Sequence, residues 1–478
     1  MIRAIIFSCI LVSFNQLILA QGNWLRSAGN TAGEETKDAV FDSNGDLVMT
    51  GFFNGTFNTG VSTLTSSGNT DIFIMKTNDA GTPIWAVKAG GTGVDRANAI
   101  AKDNAGNTYI TGYFQGTATF GSITVTGIGW DAYAAKIDQN GNFIWVTTFG
   151  GTNGDIGHGI AVDNTGNVIV TGEYKGTATF GPDVLTSMNN SGTGAPTYDV
   201  FITKLNNAGG FIWTRDGNAN QDDRGLEVTT DAAGRIYVVG QFSENITFQF
   251  VHNSTLLNAG FIVSYDASGN ELWFDKMWGG QILINDIKWG GNNIYITGDY
   301  QNTLLVEDIN GVQSFPAQDQ YNIFTARFNE SGDLGWLSTN YSVNELHATQ
   351  LTLDAANSVY LTGEFNCTFT EMNDFYGAST FLSMGYEDVH YLKYNTSGAF
   401  QWGRQVAGKQ ADYCEAITVK NIDKPVLAGY FEGPFYVPAG GTFTFQPGQQ
   451  INFSTVNCGD ANYGNFAQVF NNGARDIF

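Results

Sequence analysis

Tryptophan recurs at Trp24, Trp85, Trp145, Trp213, Trp273, Trp336 and Trp402, at intervals of 60 to 68 residues. Trp130, Trp278 and Trp289 alone fall outside this series. A second series runs in step with it: Gly51, Gly112, Gly172, Gly240, Gly298, Gly363 and Gly429. Two residues after each glycine stands an aromatic: Phe53, Phe114, Tyr174, Phe242, Tyr300, Phe365 and Phe431. Two such series in step define seven copies of one structural unit, and a chain built this way folds by stacking its copies.

One copy, from Asp95 to Gly151, contains four strand-like runs: ANAIA (a), NTYITGYF (b), DAYAAKID (c) and NFIWVTTF (d). Asn-Gly and Gly-Asn turns separate a from b and c from d, as in DSNGD, DNAGN, DQNGN, DNTGN and DASGN, and such dipeptides between apolar runs mark hairpins. Runs such as NVIVTG and DVFITK are apolar on both faces, as a sheet covered on both sides requires. No helical period of useful length appears. The expected fold is all-β: a seven-bladed β-propeller of four-stranded antiparallel blades. The strand around Trp24 would supply strand d to the last blade and close the ring, which removes exposed sheet edges. In the last unit, strand b starts at Pro425 and strand c is expected near Phe466, with ARDIF at the end as a competing strand d. The glycine of strand b either leaves room for a bulky neighbour or marks a bulge; the first option assigns the repeated Trp to that space between blades.

Composition agrees. The chain has 60 Gly and 8 Pro in 478 residues and is 14% aromatic, which suits short strands and tight turns rather than disorder. Its net charge of −23 repels phosphate backbones and excludes nucleic acid as a partner. Residues 1–20, MIRAIIFSCILVSFNQLILA, read as a signal peptide, leaving 21–478 as one propeller domain. No later run is apolar enough to span a membrane. The expected location is therefore extracellular or at the outer cell surface. Cys367, Cys414 and Cys458 remain after the leader, so at most one disulfide forms, with Cys414–Cys458 the candidate.

The strings DNAGNTYITGYFQGTATFG, DNTGNVIVTGEYKGTATFG and DQNGNFIWVTTFGGTNGD resemble the bacterial SBBP β-propeller repeat. The resemblance covers about 24–478, strongest over 42–240. It fades where GTATFG becomes NTLLVED, CTFTEMN and GPFYVPA. It implies a secreted or surface propeller of the kind frequent in Bacteroidetes, often with a C-terminal sorting domain for type IX secretion. No such domain is visible, which points to truncation before it or to another export route. The resemblance implies no shared catalytic residues.

Turns a–b and c–d are short and share one face. The b–c segments are long and differ in every unit, and they share the other face with the d–a connections; long loops on a rigid scaffold carry function. Glu34, Asp95, Asp155, Asp223 and Asp412 hold one position before strand a, with Gln281 and Leu346, beside Glu345, as the remaining counterparts. They would ring the channel mouth and bind calcium or a basic peptide, or they accept backbone N–H groups of the Gly-rich connections. No other cofactor is expected, and the a–b turns lack the EF-hand pattern. Trp130, Phe375, Tyr376 and Tyr386 are candidate contacts in the b–c segments. On the opposite face, Lys76, Lys136, Lys204, Arg327 and Lys393 should pair with the turn aspartates Asp42, Asp103, Asp163, Asp231 and Asp354. His158, His252, His347 and His390 share no unit position and read as structural. The function expected is a non-catalytic binding or adhesion module for carbohydrate or protein. The alternatives are a polysaccharide lyase or hydrolase with acids at the channel mouth, and a structural spacer in a larger surface protein.

Overall fold

The computed structural model describes residues 33–189, 193–252, 258–308, 310–342, 345–371, 379–408, 411–421, 424–431, 435–438, 466–469 and 476–477. The expected leader, the Trp24 strand, Phe375, Tyr376 and Cys458 lie outside them.

The described chain is all-β and folds as a β-propeller-like succession of antiparallel sheets. Unit one pairs Glu34–Phe41, Leu47–Phe53, Asp71–Thr77 and Pro83–Gly91 in that order. Unit two repeats it with Arg96–Lys102, Thr108–Phe120, Ile123–Ile137 and Phe143–Gly151. Units three to six follow the same a-b-c-d path. The turns form because Asx side chains cap them. Asp42 Oδ1, for example, accepts the N–H groups of Asn44 and Asp46 at 2.8 and 3.0 Å, and Gly45 takes a φ of +79°. Strands b and c are buried on both faces because each sheet lies between its neighbours. Leu47–Phe53 and Asp71–Thr77 are buried throughout.

Unit seven departs from the expected strand order. Phe466–Val469 pairs with Phe435–Pro438, so it is the return arm of a b–c hairpin, not strand c. Asp476–Ile477 of the ARDIF string pairs with Lys424–Phe431 and so holds the strand c position, not strand d.

Strand a carries a β-bulge in every unit where both strands run past this point, as between Thr36 and Asp38 and between Ala97 and Ala99. The bulge drives a carbonyl of strand a against the strand b glycine. A Cβ at Gly51 would meet Glu35 O at 1.9 Å, and one at Gly112 would meet Arg96 O at 2.1 Å. The bulge, not a neighbouring Trp, therefore sets this glycine. The Trp packs elsewhere. Trp85, Trp145, Trp213, Trp273 and Trp336 each donate Nε1–H to a carbonyl in the c–d turn of the next unit: Gln139, Asn207, Ala267, Glu330 and Thr396, at 3.0 to 3.3 Å. The turn glycine of that unit, such as Gly141 or Gly209, lies against the indole.

The b–c segments are not loops. They fold into hairpins whose first arm pairs with the end of strand d in the preceding unit, as Gly91 with Ala118, Gly151 with Ala178 and Met277 with Val306. Each unit is thus stapled to the next at both faces, by a Trp on one and a hairpin on the other.

Candidate functional site

Glu34, Asp95, Asp155, Asp223 and Asp412 all have no exposed surface. Asp95 accepts Gly91 N–H at 2.7 Å and Gln115 N–H at 3.1 Å. Asp155 repeats this with Gly151 at 2.7 Å and Lys175 at 3.1 Å, and Asp223 accepts Ser243 N–H at 2.8 Å. In units one, five and six the matching strand b amide goes to a carbonyl instead: Asn54 to Gly33, Gln301 to Gln281 and Asn366 to Glu345. Two chemistries thus serve one N–H group. The spatial counterpart in unit five is Ile282, one residue beyond Gln281, because its amide makes the bond to Asn258 O that Asp95 makes to Thr70 O. Burial, partly offset by the amide bonds, pushes Asp95 up to about 6 and Asp155 up to about 7. No three His, Cys, Asp or Glu side chains among the described residues gather closely enough to hold a metal ion.

A second set of polar groups meets at the centre of the inner strands. The residue after the bulge is Asp38, Ala99, Gly159, Glu227, Asp286, Gln350 or Ala416 in units one to seven. The inner edge of strand a has no neighbouring strand, so its N–H groups need other acceptors. Asp38 accepts Ile100 N–H at 2.9 Å, Asp286 accepts Leu351 N–H at 2.8 Å, and Gln350 accepts Ile417 N–H at 2.8 Å. Gln350 also donates to Asp38 at 2.9 Å, joining units six and one. Lys288 Nζ lies 2.5 Å from Asp286. Burial opposes the Lys288 charge, but Asp286, Glu227 and Asp38 outweigh it and hold the ammonium charged. Burial in turn pushes all three carboxyls upward against the pull of Lys288. This cluster was missed in the sequence because it does not repeat. Its signal is the departure of one strand a position from the pattern around it.

On the hairpin face, Trp130 stacks on Tyr113 at a centroid distance of 5.3 Å and stays 38% exposed. Tyr386, in unit six, is 66% exposed. In unit three, buried Glu173 lies 2.8 Å from Arg224 and 3.7 Å from His158. The other histidines are held: His252 by Glu271 at 2.7 Å, His347 by Asp299 at 3.1 Å, and His390 by His347 O at 2.9 Å. Cys414 is a buried thiol that donates to Ala416 O at 3.3 Å.

The Lys–Asp pairs of the opposite face form in four units: Lys76–Asp42 at 2.6 Å, Lys204–Asp163 at 3.0 Å, Lys393–Asp354 at 3.8 Å and Lys136–Asp103 at 3.9 Å. Arg327 instead donates to Thr396 O at 3.0 Å, and Asp231 pairs with Arg235 of its own turn.

No family model matches the chain. It is similar to an uncharacterised WD repeat-containing protein of Acanthamoeba polyphaga mimivirus, 22% identical over 468 residues and 79% of this chain. The chain spans about a third (34%) of that relative's length. Among solved structures, a protein of unknown function from Bacteroides caccae gives a TM-score of 0.35 at 10% identity, covering 74% of this chain and 93% of the other. Sqt1 from Chaetomium thermophilum gives a TM-score of 0.36 at 10% identity, over 71% and 80%.

Proposed function

We propose that the units form one closed seven-bladed ring acting as a non-catalytic binding module, and that its hairpin face takes a carbohydrate or protein ligand. The packing of the inner strands supports the ring. Glu34–Phe41 lies against Arg96–Lys102 on one side and against Asp412–Asn421 on the other. Lys37 and Glu415 join the first and last units at 2.7 Å. Export to the cell surface and membership of the SBBP repeat group belong to the same proposal and rest on the residues 1–20 pattern and the repeat strings.

The observation that carries the binding role is the set of apolar side chains exposed along the b–c segments. Val61, Ile128, Val184, Phe250, Val312 and Tyr386 come from units one to six in turn, each at least 47% exposed. A recurrent apolar surface on one face is a binding surface. The test is a glycan array and a polysaccharide panel with the full chain, with calcium and with chelator, each hit assayed for product release. Combined replacement of Ile128, Val184 and Val312 by Asp should abolish binding. Ile84→Asp, on the outer strand away from the hairpins, should leave it intact. Binding that survives the triple variant, or sugar turnover by the wild type, would contradict the proposal.

A further inference from the structure

Trp130 and Tyr198 hold the same repeat position in units two and three, one residue before the buried Asp131 and Asp199. Their carbonyls accept the N–H groups of Asp155 and Asp223, both at 2.8 Å, which fixes the start of each strand c against the next connection. Gly154 lies between the two rings. A Cβ there would sit 3.2 Å from Tyr198 Oη and 3.8 Å from the Trp130 ring. Val94 occupies the matching place in the preceding unit, so the glycine is a local departure that keeps a gap open between two aromatics. Trp130 is backed by Tyr113, and Tyr198 by Lys175 Nζ at 4.5 Å from its centroid.

Beside this gap stands a polar group of the same unit. Glu173 is 5% exposed. Its Oε2 lies 2.8 Å from Arg224 Nε yet accepts no hydrogen bond, and His158 Nε2, 3.7 Å from that oxygen, has no hydrogen-bond partner either. The Arg224 side chain is 47% exposed. A buried carboxylate without its hydrogen bond is costly, and such an orphan calls for an explanation.

We propose that the Trp130–Gly154–Tyr198 cleft is a sugar subsite that takes one pyranose ring of a neutral polysaccharide. The proposal rests on the binding role assigned above and names its ligand class. The C–H face of a pyranose packs on an indole, whose ring face carries negative charge density. Its hydroxyls both donate and accept, so adjacent hydroxyls serve Glu173 and Arg224 together. A few convergent polar groups beside an aromatic wall give such a site its orientation. The net charge of −23 repels acidic polysaccharides and leaves neutral ones as the class.

Affinity electrophoresis of the full chain in gels containing a soluble β-glucan, a mannan, a galactan or alginate tests it, with intrinsic tryptophan fluorescence as a second readout. At least one neutral polymer should retard the wild type, and alginate should not. Trp130→Ala and Gly154→Val should each weaken that retardation about tenfold or more, as truncating an aromatic anchor does. Glu173→Gln should weaken it while the melting temperature shows the variant folded. Retardation unchanged in Trp130→Ala and Glu173→Gln overturns the subsite and leaves the binding module standing. A preference for alginate overturns the neutral class. No retardation by any polymer, with a protein ligand bound at the hairpins, overturns the sugar assignment alone; no binding to either overturns both proposals.

Discussion

Each strand b glycine answers to a single carbonyl oxygen. At Gly112 an added methyl would lie 2.1 Å from Arg96 O, with backbone on both sides and no flexible side chain to yield. Gly112→Ala should therefore destabilise the fold by about 3 kcal/mol or more, at the upper end of overpacking. Gly33→Ala, where nothing stands within 4 Å of the new atom, should stay within about 0.5 kcal/mol. Thermal melts followed by circular dichroism compare them. The sequence showed that this glycine recurs but not why, because a bulge belongs to the pairing of two strands and leaves no mark in either alone. The buried carboxylates make a second claim at this scale. Burial raises Asp95 to about 6, and Asp155 and Asp199 to about 7, against 3.8 in the unfolded chain. The folded state thus binds protons that the unfolded state has lost. Their stabilising contribution is full below pH 3.8 and disappears as pH rises through 6 to 7. Asp163 works in the opposite sense: burial opposes its charge, but bonds from Thr165, Asn167 and Lys204 hold it at about 2. Its contribution is present above 3.8 and is lost as pH falls toward 2. The melting temperature should peak near pH 4 to 5 and decline toward pH 8, and the decline should persist in 1 M salt, which screens the net charge. A flat profile from pH 5 to 8 would contradict this account of the carboxylates.

Between elements, the fold depends on the two staples that join each unit to the next. Trp145 Nε1 bonds Asn207 O at 3.0 Å, and its ring covers Gly209. Trp145→Phe keeps most of the packing and removes the bond, so it should cost about 1 kcal/mol; Trp145→Ala should cost about 3 to 5 kcal/mol. On the same face Lys204 and Asp163 are both nearly fully buried. Lys204→Met strands the Asp163 carboxylate and should cost about 3 to 5 kcal/mol at pH 7, measured by urea denaturation. Much of the loss should vanish near pH 3, where the stranded carboxyl takes a proton. A pair expected from the sequence to be of the weak surface kind is in these units an interior one. The four strands were legible because the Asx-Gly turns and the apolar runs are local signals. The hairpins in the b–c segments were not, since their partner is strand d of the previous unit. GTATFG and GSITVTG carry alternation that fits a half-buried strand, as the burial of Ala118 and Phe120 between exposed Thr117 and Thr119 shows, yet nothing in them names the edge they join.

For the whole molecule, repetition was both the strength and the limit of the sequence reading. Whatever recurs in this chain is structural: the bulge glycine, the Trp staple, the Asx turns and the buried acids before strand a. What does not recur gathers in two places, the cluster of Asp38, Glu227, Asp286, Lys288 and Gln350 at the centre and the Trp130–Gly154–Tyr198 cleft on the hairpin face. A reading tuned to repeats sees the first group and passes over the second. All of it presupposes that the first and last units meet, which places the clusters of units one, four, five and six around one axis. Zero-length carbodiimide cross-linking of the full chain, followed by peptide mass spectrometry of the monomer, tests that most directly. Lys276–Glu307, at 2.9 Å between neighbouring units four and five, is the internal control. The account predicts two further links between sequence-distant units, Lys37–Glu415 at 2.7 Å and Lys420–Asp79 at 3.0 Å. Recovery of the control link without either of these in the monomer would contradict a closed ring.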